Sequence, residues 1–350
     1  MVRSRAYPSA MAGPRIIASA TAVPRHRWDQ AALLALSGYA GQRAGFFSNS
    51  AIDARHLYLD PKTFTPDETV DQLSDRYQRG AIEIGTDAVR RVLANAGWAP
   101  DDVDFLATTT CTGRLCPSLD AHLIRTLAFK PAIQRVHVGD TGCASAMVAL
   151  QQAFNHLRAF PDHRAVVLAV ELCSAAYYDD DRLESAVAHA IFADGAGALA
   201  LSGTGDGTEI VAHRTLFRSE HLPAMGFEYP GGRPRVVLSK DVRRIGASMM
   251  KEMADTLLAT AGLEQRHIRH FILHSAGRRV IDHAQKLMGL DDSQIMRSRR
   301  ILRDFGNMSS ATVVFVLDDL LQARDALPGD WGVMIALGPG FAAEGALLRW

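Results

Sequence analysis

Residues 136–150 read VHVGDTGCASAMVAL, and the fold follows from how they are parsed. The β-branched opening, VHV, predicts a short buried strand. Gly139, Asp140, Thr141 and Gly142 predict a turn. The run ASAMVALQQAFNHLRAF then carries apolar residues at helical spacing. Cys143 sits at the junction, beside the first turn of that helix. Unpaired backbone N–H groups and the helix dipole favour an anion there, which would lower the thiol pKa and make a nucleophile. A buried structural cysteine fits the same letters.

The flanking sequence repeats this grammar. Strands are predicted at 15–24, 104–110, 165–171 and 195–202, with helices at 29–40, 76–97, 121–128 and 182–192 between them. Residues 44–61 read as loop with some helix. A second round follows: strands at 207–218, 271–273, 332–337 and 345–349, helices at 241–261, 278–288 and 307–323, and an irregular stretch at 223–237. Strand–helix alternation implies an α/β fold, with a mixed or parallel sheet clad by helices. In such sheets chemistry gathers at the strand ends. The Gly/Thr/Asp run at 203–207 marks a seam between residues 15–204 and 205–350, and residues 1–14 read as a loose tail.

Bulk composition narrows the class. The 350 residues are 48% hydrophobic, enough for a sizeable core, and Lys+Arg and Asp+Glu both number 38. That balance gives no reason to expect a nucleic-acid partner. Four cysteines (Cys111, Cys116, Cys143, Cys173) are too few and irregular for a disulfide framework, and no CxxC pair suggests a metal site. No apolar run reaches the ~18 residues of a membrane span, and no signal peptide is evident. The expectation is a cytoplasmic protein with no membrane association.

Two more residues combine with Cys143. His274 closes the predicted strand in FILHSAG, and Asn307 lies in DFGNMSSATVVFVL. Alone, the first is an ordinary core or surface histidine and the second a helix cap. Together they make a Cys–His–Asn set. The imidazole can hold a thiolate as an ion pair, and the ring N–H and carboxamide can grip an oxyanion. Papain-like hydrolases use such a set, with a Cys–His separation of roughly 130–150 residues that is met here. Their local signature around the cysteine is absent. Condensing enzymes, which extend an acyl chain held on Cys, use it too.

The motifs carrying these residues resemble the type III polyketide synthases, the chalcone synthase-like family, and more loosely the thiolase-fold condensing enzymes. TGCASA is similar to the family's nucleophile turn, GNMSSAT to its Asn motif, FADGAGA to its gatekeeper segment and ALGPGF to its Gly-Pro-Gly loop. The likeness runs from about residue 15 to the end. It implies a thiolase-like fold, two related βαβαβ halves in an α-β-α-β-α sandwich. It implies acyl loading on Cys143 and oxyanion binding by His274 and Asn307. A malonyl-CoA extender and an acyl-CoA or acyl-carrier-protein starter follow as partners, with a homodimer and no cofactor beyond CoA thioesters. Phe192, Cys111, Val236, Gly338, Pro339 and Gly340 would line the cavity. Cys116 and Pro117 would lie in the family's dimer-interface loop, and Cys173 in the core.

The chain departs from the family in three places. His-Pro-Gly-Gly is here His274-Ser275-Ala276-Gly277, which frees the loop and adds a Cβ. The basic cluster for CoA phosphates is thin, leaving Arg43 and Arg55. Val236 replaces a bulky gatekeeper, which predicts a roomier cavity. The rival readings are a single-round β-ketoacyl synthase III-like enzyme or acyltransferase, a cysteine hydrolase, and an inactive acyl-binding subunit.

Overall fold

The computed structural model describes residues 13–350 apart from 63, 66, 67, 178 and 179. Most of the expected tail, residues 1–12, lies outside the described residues. Its last two residues are held in place: Gly13 N donates to Glu209 Oε1 (2.8 Å) and Pro14 O accepts from Ile210 N (2.8 Å).

In chain order the first half comprises β1 (Arg15–Ala22), β2 (Arg27–Asp29), α1 (Gln30–Ser37), α2 (Gly41–Ser48), β3 (Ala54–His56), α3 (Val70–Ala96), β4 (Phe105–Thr110), α4 (Leu119–Leu127), β5 (Gln134–Gly139), α5 (Ser145–Ala159), β6 (Arg164–Leu172), α6 (Leu183–Ile191) and β7 (Asp194–Ser202). The second comprises β8 (Thr208–Phe217), β9 (Met225–Glu228), β10 (Arg235–Leu238), α7 (Val242–Thr260), β11 (Ile268–Leu273), α8 (Arg278–Met288), α9 (Asp292–Phe305), α10 (Ala311–Ala323), β12 (Trp331–Gly338) and β13 (Ala342–Arg349).

The main sheet runs β11-β12-β13-β8-β1-β7-β6-β4-β5. Its two arms repeat one pattern. Stepping inward, β4/β6 is parallel, then β6/β7 and β7/β1 are antiparallel. In the other arm β11/β12 is parallel, then β12/β13 and β13/β8 are antiparallel. The arms meet where Arg15 and Ile16 pair with Glu209 and Thr208.

Side-chain alternation builds the layers. Along β6, Ala165, Val167 and Ala169 face the central core, while Val166, Leu168 and Val170 face the core shared with α3 and α4. Along β12, Met334 and Ala336 face the centre, and Val333, Ile335 and Leu337 face α7 and α8. Strands apolar on both faces need helices on both. The small-residue face of α5 (Ala146, Ala149, Ala153) and the apolar α10 fill the middle between the arms. The result is the thiolase-like α-β-α-β-α sandwich.

Several elements differ from the sequence-based expectation. β5 is an edge strand paired only with β4, so VHV is half-exposed and not buried. The stretch at 44–61, read as loop with some helix, holds most of α2 and also the short strand β3. The irregular stretch at 223–237 contains the β9–β10 hairpin. α3 starts at Val70, where Thr69 and Gln72 form a capping box. α9, unanticipated, is started by the same device in Asp291 and Gln294, and α10 begins four residues after Asn307.

Candidate active site

The thiol sits where β5 ends. Gly142–Ala144 form a single 3₁₀ turn leading into α5. Gly142 has φ 60°, and a methyl there would strike the Pro339 ring. Gly338 is as tightly placed: a methyl would lie 2.7 Å from Thr141 O and 2.8 Å from Ala144 Cβ. The Gly338–Gly340 loop joining β12 to β13 therefore lies on the nucleophile turn.

His274 reaches the same place from the neighbouring strand. β11 runs parallel to β12, Leu273 beside Ile335, and His274 N donates to Ile335 O (2.9 Å). The His-Ser-Ala-Gly departure does not leave the loop free. Ser275 Oγ donates to Ser298 O (2.6 Å), and Ser298 Oγ returns a bond to Leu273 O (2.8 Å), so α9 clamps the loop from both sides. Ala276 N donates to His274 O (3.0 Å).

Asn307 crosses between the arms. It bridges to Phe192: Asn307 N donates to Ile191 O (2.8 Å), and Asn307 O accepts from Ala193 N (2.8 Å). Its side chain is fixed at both ends. Oδ1 accepts from Ser309 N (2.9 Å), and Nδ2 donates to Ala276 O (3.2 Å). Ser309 Oγ donates to Cys143 Sγ (3.3 Å). Cys143, Asn307 and the His274 loop thus belong to one bonded network.

Two corrections concern charge. The sequence predicted a lowered thiol pKa and an ion pair, yet burial pushes the Cys143 thiol up to about 12, with Ser309 opposing and the carboxyl of Glu171 adding to the rise. Burial likewise holds the His274 imidazole down at about 4. Both ring nitrogens are buried with no partner among the described residues. Desolvation outweighs the helix-terminus effect and favours the uncharged form of each group.

One of the two predicted CoA arginines, Arg55, is reassigned. Arg55 is fully buried and bonds Gln30 Oε1 (2.7 Å), His189 O (2.7 Å) and Phe192 O (2.6 Å). A methyl on Gly306 would meet its stem at 2.7 Å. Arg55 is a buttress behind Phe192 and Asn307, out of reach of a phosphate. Arg43 is paired with Asp181 at 2.9 Å.

Cys143 opens on an apolar cavity of about 60 Å³ that Cys111, Phe192, Val236 and Pro339 help to line. Cys173, expected in the core, also borders it. Val236, expected to make room in the cavity, does line it. Met225 and Phe227, from β9, line it beside Val236, which pairs with Phe227 in the β9–β10 hairpin.

One residue escaped the sequence reading. Glu171, inside the apolar strand β6, is fully buried behind Cys111 and Thr112, which line the cavity. It accepts from Cys111 N (3.1 Å), Thr112 Oγ1 (2.8 Å) and Ser310 Oγ. Burial raises its pKa. Cys111 Sγ lies 3.2 Å from Ser309 Oγ, so one hydroxyl touches both sulfurs. The available signal was a carboxylate inside an otherwise apolar strand, AVVLAVEL.

A family model for FAE1/type III polyketide synthase-like proteins matches residues 56–261, and one for the C-terminal domain of chalcone and stilbene synthases matches residues 235–350. The chain belongs to the type III polyketide synthase family. It is 32% identical to a 3,5-dihydroxyphenylacetyl-CoA synthase from Streptomyces toyocaensis, over 96% of this chain and 90% of that relative. It is also 32% identical to the 1,3,6,8-tetrahydroxynaphthalene synthase of Streptomyces peucetius subsp. caesius, over 97% and 93%. The crystal structure of PKS-I from the brown alga Ectocarpus siliculosus superposes with TM-score 0.90 at 27% identity, covering 98% of this chain and all of that one. As a type III polyketide synthase the protein is an acyltransferase-type enzyme. No helix among the described residues is long and apolar enough to cross a membrane.

Proposed function

We propose that Cys143 carries the growing acyl chain while His274 and Asn307 stabilise the enolate that extends it. The Cys143 thiol passes its proton to the neutral His274 ring as sulfur attacks an acyl thioester, and the donor leaves as its thiol. A malonyl thioester then enters with its carbonyl oxygen toward the His274 ring and Asn307 Nδ2. Loss of CO2 leaves an enolate on the bound thioester, and each donor aimed at that oxygen is worth roughly 3 kcal/mol of barrier. The carbanion attacks the Cys143 ester, expelling the thiolate, and the lengthened chain returns to sulfur. Cyclisation would give a small phenolic, resorcinolic or pyrone product. Decarboxylation supplies the carbanion, so the reaction asks for no redox cofactor or metal.

The observation that carries this reading is the fixed carboxamide. Asn307 is held by Ser309 N and Ala276 O, and Ser309 also bonds the Cys143 sulfur. A rigid, non-titrating donor beside a thiol suits condensation. Malonyl-CoA is the proposed extender and an acyl-CoA or carrier-protein thioester the starter, with a cytoplasmic location. A homodimer fits the open edge of β5, which presents unpaired backbone groups. A single condensation is the second reading, favoured by His274-Ser275-Ala276-Gly277 in place of the family's His-Pro-Gly-Gly.

Mass spectrometry of products from purified protein given malonyl-CoA and a panel of starters tests both. Cyclised or pyrone products from several malonyl units support the polyketide reading, and one-step β-ketoacyl products the second. Free acid alone, with no new carbon–carbon bond, overturns both.

A further inference from the structure

Neither ring nitrogen of His274 has a hydrogen-bond partner among the described residues. A working imidazole is ordinarily aimed by a bond to its far nitrogen. Nothing on this ring does so, and its aim falls to the backbone that carries it. β11 fixes only the start of the loop, where His274 N donates to Ile335 O (2.9 Å). Beyond that point Ser275 stands where the family has proline, so no ring restrains the chain there.

Ser298, on α9, holds the loop instead. Its Oγ donates to Leu273 O (2.8 Å), before the histidine, and its carbonyl accepts from Ser275 Oγ (2.6 Å), after it. The two bonds bracket His274, and all three residues, His274, Ser275 and Ser298, are fully buried. One residue further, Ala276 O accepts from Asn307 Nδ2 (3.2 Å). Asn307 Oδ1 accepts from Ser309 N (2.9 Å) and Thr312 Oγ1 (3.4 Å), which settles the end that bears the two N–H donors. Ala276 O takes one of them and orients the other. The bracketed loop therefore sets both the imidazole and the carboxamide. Ser298 is itself fixed by its neighbours: Arg297 pairs with Asp319 of α10 (2.6 Å) and Arg299 with Asp282 of α8 (2.7 Å).

Resting on the condensing reading above, we propose that Ser298 and Ser275 are positioning residues, a reciprocal hydroxyl clamp that aims His274 and Asn307 at the enolate oxygen. The test measures 14CO2 release from malonyl-CoA as kcat and KM, in native protein, in S275A and in S298A. The control is S293A, which disturbs only the Asp291 cap of the same helix. We expect each clamp variant to lose roughly tenfold to a hundredfold in kcat, the scale of a ~1 Å misplacement, with KM held within about twofold. Adding S275A to N307A should cost less than adding it to native protein, because one of the two groups it aims is already gone. S298C, which keeps the shape and weakens the bond, carries the same expectation at smaller magnitude where an alanine variant does not fold. Unchanged kcat in the folded clamp variants, a loss confined to KM, an equal loss in S293A, or an equal cost of S275A in both backgrounds overturns the clamp. Absence of CO2 release by native protein overturns the condensing reading and the clamp with it.

Discussion

Replacing Gly142 with alanine should damage the site more than any change to its reactive groups' neighbours of comparable size. The residue has φ 60°, and the added methyl would run into Pro339, coming within 2.7 Å of its Cγ. A left-handed conformation costs a Cβ-bearing residue roughly 1–2 kcal/mol, and overpacking adds about 1–3 kcal/mol. The sum, roughly 2–5 kcal/mol, predicts a Tm lower by on the order of 5–10 °C. Relief would come from pushing the Gly338–Gly340 loop off the nucleophile turn, so acyl loading of Cys143 should slow as well. The control is Gly139→Ala, three residues earlier in the same turn, where a methyl meets nothing within 4 Å. Thermal unfolding and mass-spectrometric labelling of Cys143 by an acyl thioester read the two effects. If Gly142→Ala matched Gly139→Ala in both, the loop would not rest on the turn as described.

Other predictions concern chemistry. Asn307→Ala removes one oxyanion donor and should slow malonyl decarboxylation about a hundredfold or more; a native rate of 14CO2 release would refute its role. Because burial holds the Cys143 thiol near 12 and the His274 ring near 4, alkylation of Cys143 by iodoacetamide should climb steadily from pH 7 to 9. A fast, pH-independent rate at pH 6–7, above that of the exposed Cys116, would reveal a resting ion pair instead. The same histidine shift has a stability sign. The unfolded ring gains its proton near 6.5 and the folded ring only near 4, so the unfolded state binds more protons between those values. Stability should decline as pH falls from 6.5 toward 4, and denaturant midpoints across that window check the slope. Phe227→Ala, which opens the wall beside Val236, should shift products toward longer chains by mass spectrometry; an unchanged spectrum would mean that this wall does not set chain length.

The letters around Cys143, Asn307 and the Gly-Pro-Gly loop were sufficient for the fold class, because tight turns and close backbone approaches admit few residue types. What stayed hidden was set by neighbours distant in sequence. VHV looks like a buried strand, and only its place at the sheet edge exposes it. α9, DSQIMRSRRILRDF, is so rich in arginine that it reads as solvent, yet its Asp291/Gln294 cap was a local signal. Arg55 was read as a phosphate ligand from the resemblance of its surroundings to the family's basic cluster; its partners are backbone carbonyls, a glutamine and the Tyr177 hydroxyl. The direction of the Cys143 shift depended on how deeply the thiol is desolvated, which no spacing encodes.

The mirrored strand order of the two arms has a consequence for how the molecule could be taken apart. The duplication is architectural and not chemical: one arm holds the sulfur, the other the imidazole and the carboxamide. Chains severed within residues 203–207 and produced separately should each be inert, whatever their helicity. Mixing them would restore turnover only to the extent that the short seam at Arg15 and Ile16, aided by the interleaved α5 and α10, knits the fragments back together. Regained activity would then serve as a direct gauge of that seam's strength.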